Sequence, residues 1–328
     1  MISRRRQHVL TGAAALGGLA LLVGAVQRVG VPAITSGIQR VGWPGVTAML
    51  VIAGLRFALR AESWRLCMRP HARLPFGQAF AAFLAGDALG NVTPLGMLAS
   101  EPAKVFLAGH RLAPRDAIAS LAVDNLVYAG SAVAMIAVGA GVALTIAPLA
   151  AVWRWAAAAA VVALTGAGLL FLRLMVGTWN DARGPRPAWR QTVSSLRASV
   201  IGFVAEQPGR LQRVAGVDAA FHALAVAEVY VVLRGLLGEV APTLAQAIVF
   251  EGLNRFVTVA FKFVPFRVGV DEASSGALAV LVGVDPVAGV TLAVLRKGRN
   301  LFWTAIGLAL IGARPGPGAP ESDRQETA

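Results

Sequence analysis

Residues 117–146 read AIASLAVDNLVYAGSAVAMIAVGAGVALTI, thirty residues with a single charged side chain, that of Asp124. As an α-helix this stretch is about 45 Å long. The hydrocarbon core of a bilayer is only about 30 Å thick. The stretch therefore predicts a membrane-crossing helix that is strongly tilted or broken.

The rest of the chain has the same character. Its 328 residues are 56% hydrophobic and 14% charged, with a mean hydropathy of +0.66, whereas soluble chains carry about 25% charged residues. Only helices or closed barrels satisfy the backbone in lipid, and these blocks lack the alternation of barrel strands. We predict an all-α polytopic integral membrane helix bundle of about seven spans, at 9–26, 42–59, 117–146, 152–173, 217–237, 243–263 and 287–311.

Two further apolar stretches, 76–99 and 265–284, are interrupted by Pro, Gly and charged residues. In the first stretch, Pro94 and Gly96 would break a helix near its middle. The backbone groups freed at such a break are tolerated at membrane depth only where protein or water covers them. We predict that both stretches are re-entrant segments. The alternative for the first is a short loop outside the membrane.

The net charge of +13 comes mostly from arginines next to the apolar blocks. No nucleic-acid-binding motif accompanies them, so no nucleic acid partner is expected. Arginine beside spans is the positive-inside signal, which predicts a multi-pass protein of a bacterial inner membrane with a cytoplasmic N-terminus. The span count then places the C-terminus outside. The arginines are Arg4, Arg5, Arg6, Arg60, Arg65, Arg69, Arg73, Arg183, Arg186, Arg190, Arg197, Arg210 and Arg213.

Two segments lie outside the predicted spans. In the connector 174–216, apolar residues recur at three- and four-residue spacing: Trp189, Val193, Leu196, Val200 and Phe203. This pattern is typical of an amphipathic helix, lying either on the cytoplasmic membrane surface or across the ends of the bundle. The tail 314–328 is polar and rich in Pro and Gly, which predicts disorder.

The two interrupted stretches share a pattern that suggests an internal duplication. Pro94 precedes Glu101 by seven residues, and Pro265 precedes Glu272 by the same distance. We predict one transmembrane domain, 1–313, with repeat cores at 76–146 and 247–311. The span count makes the repeats parallel, but one misread segment would make them inverted, so both arrangements stay open. In transporters, interrupted segments at corresponding positions of two repeats indicate a substrate site at the membrane midplane.

Polar residues inside the apolar blocks are therefore the candidate substrate-binding residues, because a charge at the bilayer centre costs at least about 2.5 kcal/mol unless it has a partner or a wet cavity. Lys297 and Arg299 are interpreted instead as structural ion-pair partners or interfacial residues. With a lone Cys67 and four scattered histidines, neither a metal site nor a cofactor is expected. The candidates are Asp87, Asn91, Pro94, Gly96, Glu101, Lys104, Asp124, Glu251, Arg255, Pro265, Arg267, Gly269, Glu272 and Arg296.

The same two regions resemble the lysylphosphatidylglycerol synthase transmembrane family, a family of flippase-like membrane domains. The first region is GNVTPLGMLASEPAK at 90–104 followed by RLAPRDAIASLAVDN at 111–125. The second is VPFRVGVDE at 264–272, with GVDP at 283–286 and TLAVLR at 291–296. The resemblance implies lipid translocation, in some relatives within hopanoid or isoprenoid-linked glycan pathways. The separate aminoacyltransferase domain of lipid-modifying members is expected to be absent.

The expected function is that of a lipid flippase or transporter, not an enzyme, acting on an anionic, phosphate-bearing lipid. Arginine suits bidentate phosphate recognition. The expected partners are phospholipid, hopanoid or polyprenyl-phosphate lipids, with a homo-oligomer or a pathway partner enzyme left open. Two alternatives remain: a non-catalytic membrane subunit or scaffold, and an intramembrane lipid-modifying enzyme that uses two carboxylates.

Overall fold

The computed structural model describes residues 31–93, 96–146, 188–261, 264 and 267–312, together with seven isolated residues between 154 and 168. The predicted span at 9–26, most of that at 152–173 and the tail at 314–328 lie outside these residues. Within them the chain forms helices and no strands: α1 (Val31–Cys67), α2 (Phe76–Val92), α3 (Met97–Ala108), α4 (Pro114–Ile146), α5 (Ala188–Glu206), α6 (Pro208–Leu237), α7 (Leu244–Ala260), α8 (Val270–Leu281) and α9 (Pro286–Gly312).

Three of these helices, α1, α4 and α6, are long and apolar enough to cross a membrane. Their surfaces carry exposed large apolar side chains such as Val51, Leu55 and Val138, which suits contact with lipid. The 33 residues of α4 form one unbroken helix, about 50 Å long. α1 bends at Gly42, whose φ of 61° is readily reached only by glycine. The protein is an all-helical, multi-pass membrane protein.

α2 and α3 form a helical hairpin whose outer ends lie together. The Gln78 side-chain amide donates to the Ala108 carbonyl oxygen at 2.9 Å. At the inner end, a Cβ on Gly96 would lie 2.1 Å from the Gly90 carbonyl oxygen, so this close approach requires glycine. The helix break predicted in this stretch lies between Val92 and Met97. Pro94 itself is outside the described residues.

α7 and α8 form a second hairpin with a matching closure. The Gln246 side-chain amide donates to the Val282 carbonyl oxygen at 3.0 Å, again joining the start of the first arm to the end of the second. Gly269, with a φ of 80°, precedes α8, and Pro265 lies outside the described residues. α7, which covers most of the stretch 243–263 predicted to be a complete span, is thus the first arm of a hairpin.

The two long helices that follow the hairpins, α4 and α9, run in opposite directions. One apolar cluster includes Ala117 near the start of α4 and Ile311 at the end of α9. Another includes Ala143 near the end of α4 and Ala288 near the start of α9. These two helices therefore have the relative directions expected of inverted rather than parallel copies, unlike the arrangement that the span count gave.

The first of these clusters lies at the end of the bundle where α1 and α9 end and where α4 and α6 begin. Arg65 and Arg210 lie there too, and we call it the basic end. There Arg210 donates to the carbonyl oxygens of Leu66, at 2.6 Å, and Met68 at the end of α1. α9 also ends here, whereas the span count places its end on the side away from the arginines.

Each hairpin packs on the long helix that follows the other hairpin. A Cβ on Gly307 of α9 would lie 2.6 Å from the Leu84 carbonyl oxygen of α2. A Cβ on Gly139 of α4 would lie 2.7 Å from the Gly252 Cα of α7. The two packing contacts correspond to each other, and the two hairpins open toward opposite ends of the bundle. The internal duplication itself stays a prediction.

α5 packs across the basic end. Its Val200 and Phe203 side chains are buried against Leu66, Cys67 and Val214. These two members of the predicted apolar stripe therefore face the bundle, as in the second alternative given for this helix. The side chains of Trp189, Val193 and Leu196 are outside the described residues.

Candidate functional site

Glu228 of α6 lies at the centre of a buried cluster of charged side chains. Its carboxylate accepts hydrogen bonds from Arg56 of α1, at 3.0 Å, and from Arg299 of α9. Arg296 of α9 approaches the same carboxylate at 3.5 Å. Glu228 is fully buried, so three arginines from two other helices converge on one carboxylate.

Glu251 of α7 extends this cluster. It accepts a hydrogen bond from Arg255 one turn further along the same helix, and from Arg296 at 2.6 Å. Arg296 thus joins the two glutamates. Phe221 lies beneath both Arg56 and Arg255, with guanidinium carbons 4.6 and 5.5 Å from its ring centroid, at distances where a cation and an aromatic face attract.

We call these six side chains the arginine cluster: Arg56, Arg255, Arg296, Arg299, Glu228 and Glu251. Four positive charges face two negative ones, a formal excess of two positive charges. The arginine side chains keep 10–12% of their surface exposed, whereas the two glutamates keep at most 1%. The Nε atoms of Arg56 and Arg255 are buried without a hydrogen-bond partner among the described residues. The cluster therefore has positive charge and donors left over for an anion.

The two hairpins present their glutamates in matching ways. Glu101 of α3 pairs with Lys104 at 2.9 Å and accepts a hydrogen bond from Asn125 of α4 at 3.1 Å. Glu272 of α8 accepts one from Lys297 of α9 at 2.5 Å and one from the backbone of Gly269 at 2.7 Å. In both cases the glutamate of the short helix is held by the long helix that follows it.

A second buried cluster lies between the arginine cluster and the basic end. Arg60 of α1 donates to Asp124 of α4 at 2.6 Å and to Asp218 of α6 at 2.8 Å. Ser63 donates to Asp124 at 2.7 Å. We call Arg60, Asp124 and Asp218 the aspartate cluster; both of its carboxylates are fully buried.

Tyr128 connects the two clusters. Its hydroxyl accepts a hydrogen bond from Arg255 at 3.1 Å. The face of its ring lies against Arg60, with the guanidinium carbon 4.2 Å from the centroid. Tyr128 is therefore in direct contact with one arginine of each cluster.

The comparisons with known proteins agree with this architecture. The family model for the lysylphosphatidylglycerol synthase TM region matches residues 9–307. The chain belongs to this family. A search of curated proteins found no match. The resemblance seen in the two interrupted stretches thus extends over most of the chain, and membership of the lysylphosphatidylglycerol synthase transmembrane family indicates a membrane function connected with lipids.

The predicted site residues do not form a single site. Glu251, Arg255 and Arg296 lie together in the arginine cluster, and Asp124 lies in the aspartate cluster. The other described candidates belong to the hairpins: Asp87, Asn91, Gly96, Glu101 and Lys104 to the first, and Arg267, Gly269 and Glu272 to the second. Pro94 and Pro265 lie outside the described residues.

Within the hairpins, several candidates have local partners. Asn91 donates to Asp87 at 3.2 Å and to Thr304 of α9 at 3.1 Å. Arg267 pairs with Asp271 at 2.9 Å at the start of α8, and its φ of 46° is unusual for a residue other than glycine. These residues lie on the hairpins rather than in the arginine cluster.

Sequence reasoning missed the part that α1 plays in the site. Arg60 was counted among the connector arginines that set the orientation, but it is buried between two aspartates. Arg56 was not among the candidates. It lies one helical turn before Arg60 within an apolar run, and this spacing of two arginines on one helix face could have identified it. Arg299 is an ion-pair partner of Glu228, as one of its two interpretations held. The described residues contain no group of His, Cys, Asp or Glu suited to a metal ion.

Proposed function

We propose that this protein is a transporter that moves an anionic, phosphate-bearing lipid across the bacterial inner membrane. The observation that carries the proposal is the excess of two positive charges in the arginine cluster. A buried charge without a partner is strongly unfavourable in a low-dielectric interior. A phosphate group entering the cluster supplies the missing negative charge while the acyl chains remain in lipid.

The arrangement of the arginines suits a phosphate group. Guanidinium groups present several N–H donors in one plane and bind phosphate oxygens in pairs. The two glutamates hold the arginines from the buried side, and the exposed tenth of each arginine side chain is the surface a headgroup would reach.

The inverted hairpins supply a route for alternating access. One hairpin opens at the basic end and the other at the opposite end. In many transporters, two inverted repeats rock about a site between them, exposing it first on one side and then on the other. In our proposal the hairpins are re-entrant, and each closes the path from one side of the membrane.

The proposal includes an orientation and a reaction class. The basic end faces the cytoplasm by the positive-inside rule. The protein catalyses no covalent change, and its partners are membrane lipids. The competing function is a membrane scaffold in which the charged clusters only tie helices together, so a test must separate transport from folding.

The test is lipid translocation in proteoliposomes, followed by the accessibility of a labelled anionic phospholipid to an external quencher. Arg299→Gln is the informative variant, because Glu228 keeps Arg56 at 3.0 Å and the cluster loses one positive charge. The control is Arg65→Gln, which removes an arginine paired with partly exposed Glu62 outside the cluster.

We expect the wild type and Arg65→Gln to move the lipid and Arg299→Gln to be slower by about tenfold or more, since one hydrogen bond to a charged group contributes about 1.5–3 kcal/mol. Matched folding is checked by circular dichroism and gel filtration. Equal rates for a folded Arg299→Gln and the wild type would reject the arginine cluster as the lipid site. No translocation by the wild type would favour the scaffold.

A further inference from the structure

The aspartate cluster contains a carboxylate oxygen that lipid recognition does not explain. Asp218 uses Oδ1 to accept from Arg60 at 2.8 Å, and the Ser63 hydroxyl, whose one proton goes to Asp124, lies 3.3 Å from the same oxygen. Its Oδ2 is buried and has no hydrogen-bond partner among the described residues. By contrast, both carboxylate oxygens of Asp124 accept hydrogen bonds, from Arg60 and Ser63.

The charges of this cluster do not balance. One guanidinium faces two fully buried carboxylates, which leaves one negative charge in excess. A single proton on one carboxylate makes the cluster neutral, and a protonated carboxyl group can also donate a hydrogen bond. Asp218 Oδ2 is the oxygen at which a proton displaces no existing hydrogen bond.

We propose that Asp218, held by Arg60 opposite Asp124, binds a proton that crosses the membrane together with the lipid. This inference rests on the proposed transport function and adds its energy source. The proton bonds to Asp218 Oδ2 from water on one side and is released to water on the other. No other bond forms or breaks, and nothing is oxidised or reduced.

Coupling follows from the charges and from the contacts between the clusters. The aspartate cluster is one turn of α1 away from Arg56, and Tyr128 touches both Arg60 and Arg255. With Asp218 ionised, the excess of two positive charges in the arginine cluster faces one negative charge nearby. Protonation removes that negative charge, so it strengthens the binding of an anion. By linkage, anion binding strengthens proton binding to the same degree.

The surroundings of Asp218 contain other groups whose charge matters. The neighbouring groups of α1 and α4 are Arg60, Cys67, Asp124 and Tyr128. His222 lies one turn further along α6, and Glu228 lies beyond it among the charged residues of α7 and α9. On α5, which packs across the basic end, the described charged side chains are Arg197 and Glu206. Arg60 and Asp124 are the charged groups in closest contact, so Asp218→Asn isolates the proton site best.

The transport experiment imposes a pH gradient on proteoliposomes while the membrane potential is clamped at zero. With one proton per lipid, a gradient of about one pH unit should concentrate the labelled anionic phospholipid about tenfold in the leaflet on the alkaline side. Asp218→Asn preserves the shape of the side chain and its Oδ1 contact, but it cannot titrate. We expect this variant to equilibrate the lipid without concentrating it.

Glu62→Gln is the matched control, because Glu62 is a partly exposed carboxylate next to Ser63 that pairs with Arg65 outside both clusters. It should concentrate the lipid as the wild type does. Two results would overturn the coupling proposal and leave the transport function intact. In the first, the wild type equilibrates the lipid between the leaflets but does not concentrate it in response to the pH gradient. In the second, Asp218→Asn concentrates the lipid as well as the wild type does.

Infrared difference spectroscopy of the purified protein tests the proton site without any transport. We expect the wild type and Glu62→Gln to show the C=O stretch of a buried protonated carboxyl group, gained as the pH falls, and Asp218→Asn to lack it. Persistence of the band in Asp218→Asn would overturn the assignment to Asp218. If the wild type moves no lipid, the proposed function fails, and this band alone decides whether Asp218 binds the proton.

Discussion

Removing a glutamate from the arginine cluster should cost far more stability than removing an arginine. Glu228→Gln leaves Arg56 and Arg299 without their carboxylate partner, and Arg296 then retains only Glu251, at 2.6 Å. The excess of positive charge rises from two to three. Breaking a buried ion pair in this way costs about 3–5 kcal/mol.

Arg299→Gln acts in the other direction. Glu228 keeps Arg56 at 3.0 Å and Arg296 at 3.5 Å, and the excess of positive charge falls from two to one. The loss should be that of one hydrogen bond between charged groups, about 1.5–3 kcal/mol. At the midpoints of these two ranges, the free energy of unfolding of Glu228→Gln should lie about 2 kcal/mol below that of Arg299→Gln.

Unfolding by sodium dodecyl sulfate in mixed micelles, followed by far-ultraviolet circular dichroism, measures this difference. Arg65→Gln, outside the cluster, should differ from the wild type by less than about 1 kcal/mol, as expected for a partly exposed ion pair. Equal destabilisation by Glu228→Gln and Arg299→Gln would refute the reasoning. That result would mean that the cluster carries no uncompensated positive charge.

Three further outcomes follow from the same structure. Anionic phospholipid added to the detergent-solubilised protein should raise the Tm of the protein as the lipid concentration increases, because a ligand that binds the folded state stabilises that state. An equal rise in Tm with an uncharged lipid would contradict a charged site. Gly252→Ala places a Cβ 2.6 Å from the Gly139 Cα and should lower the free energy of unfolding by about 1–3 kcal/mol. A Cβ at Gly141 meets nothing within 4 Å, so Gly141→Ala should not lower it. Similar losses for both variants would contradict the close packing of α4 on α7. Lys297→Gln removes the cation that holds buried Glu272 and should slow translocation, whereas Lys297→Arg should preserve it; unchanged translocation by Lys297→Gln would exclude this pair from the transport cycle.

The helices themselves could largely be predicted from the sequence. Long apolar blocks with few charges mark α1, α4 and α6, because burial in lipid demands such composition over about twenty residues. The breaks in the two hairpins were also visible, since Pro and Gly interrupt apolar runs at 94–96 and 265–269. These features are local, so a single sequence contains them.

The relative direction of the helices could not be obtained in the same way. Whether 243–263 crosses the membrane or turns back depends on tertiary contacts, such as that between Gln246 and Val282. Its hydropathy is the same in either case. Because one miscounted crossing reverses everything after it, the span count could not give the relative directions of α4 and α9.

The sequence alone could also not predict which residues form the charged clusters. Arg60 meets Asp124 and Asp218, which lie 64 and 158 residues away along the chain, and no spacing rule connects them. An arginine near the end of an apolar block normally lies at the membrane surface. By contrast, the sequence does contain the signal for the pair Glu251 and Arg255, because a spacing of four residues places two side chains on one helix face.

The central claim is that the arginine cluster carries an anionic lipid headgroup across the membrane. Its most direct test compares translocation by the wild-type protein of two labelled lipids with the same acyl chains, one with an anionic phosphate headgroup and one with an uncharged headgroup. We predict that proteoliposomes move the phosphate lipid at least about tenfold faster than the uncharged one, and that protein-free liposomes move neither. Equal rates for the two lipids, or no movement of the phosphate lipid, would contradict the claim.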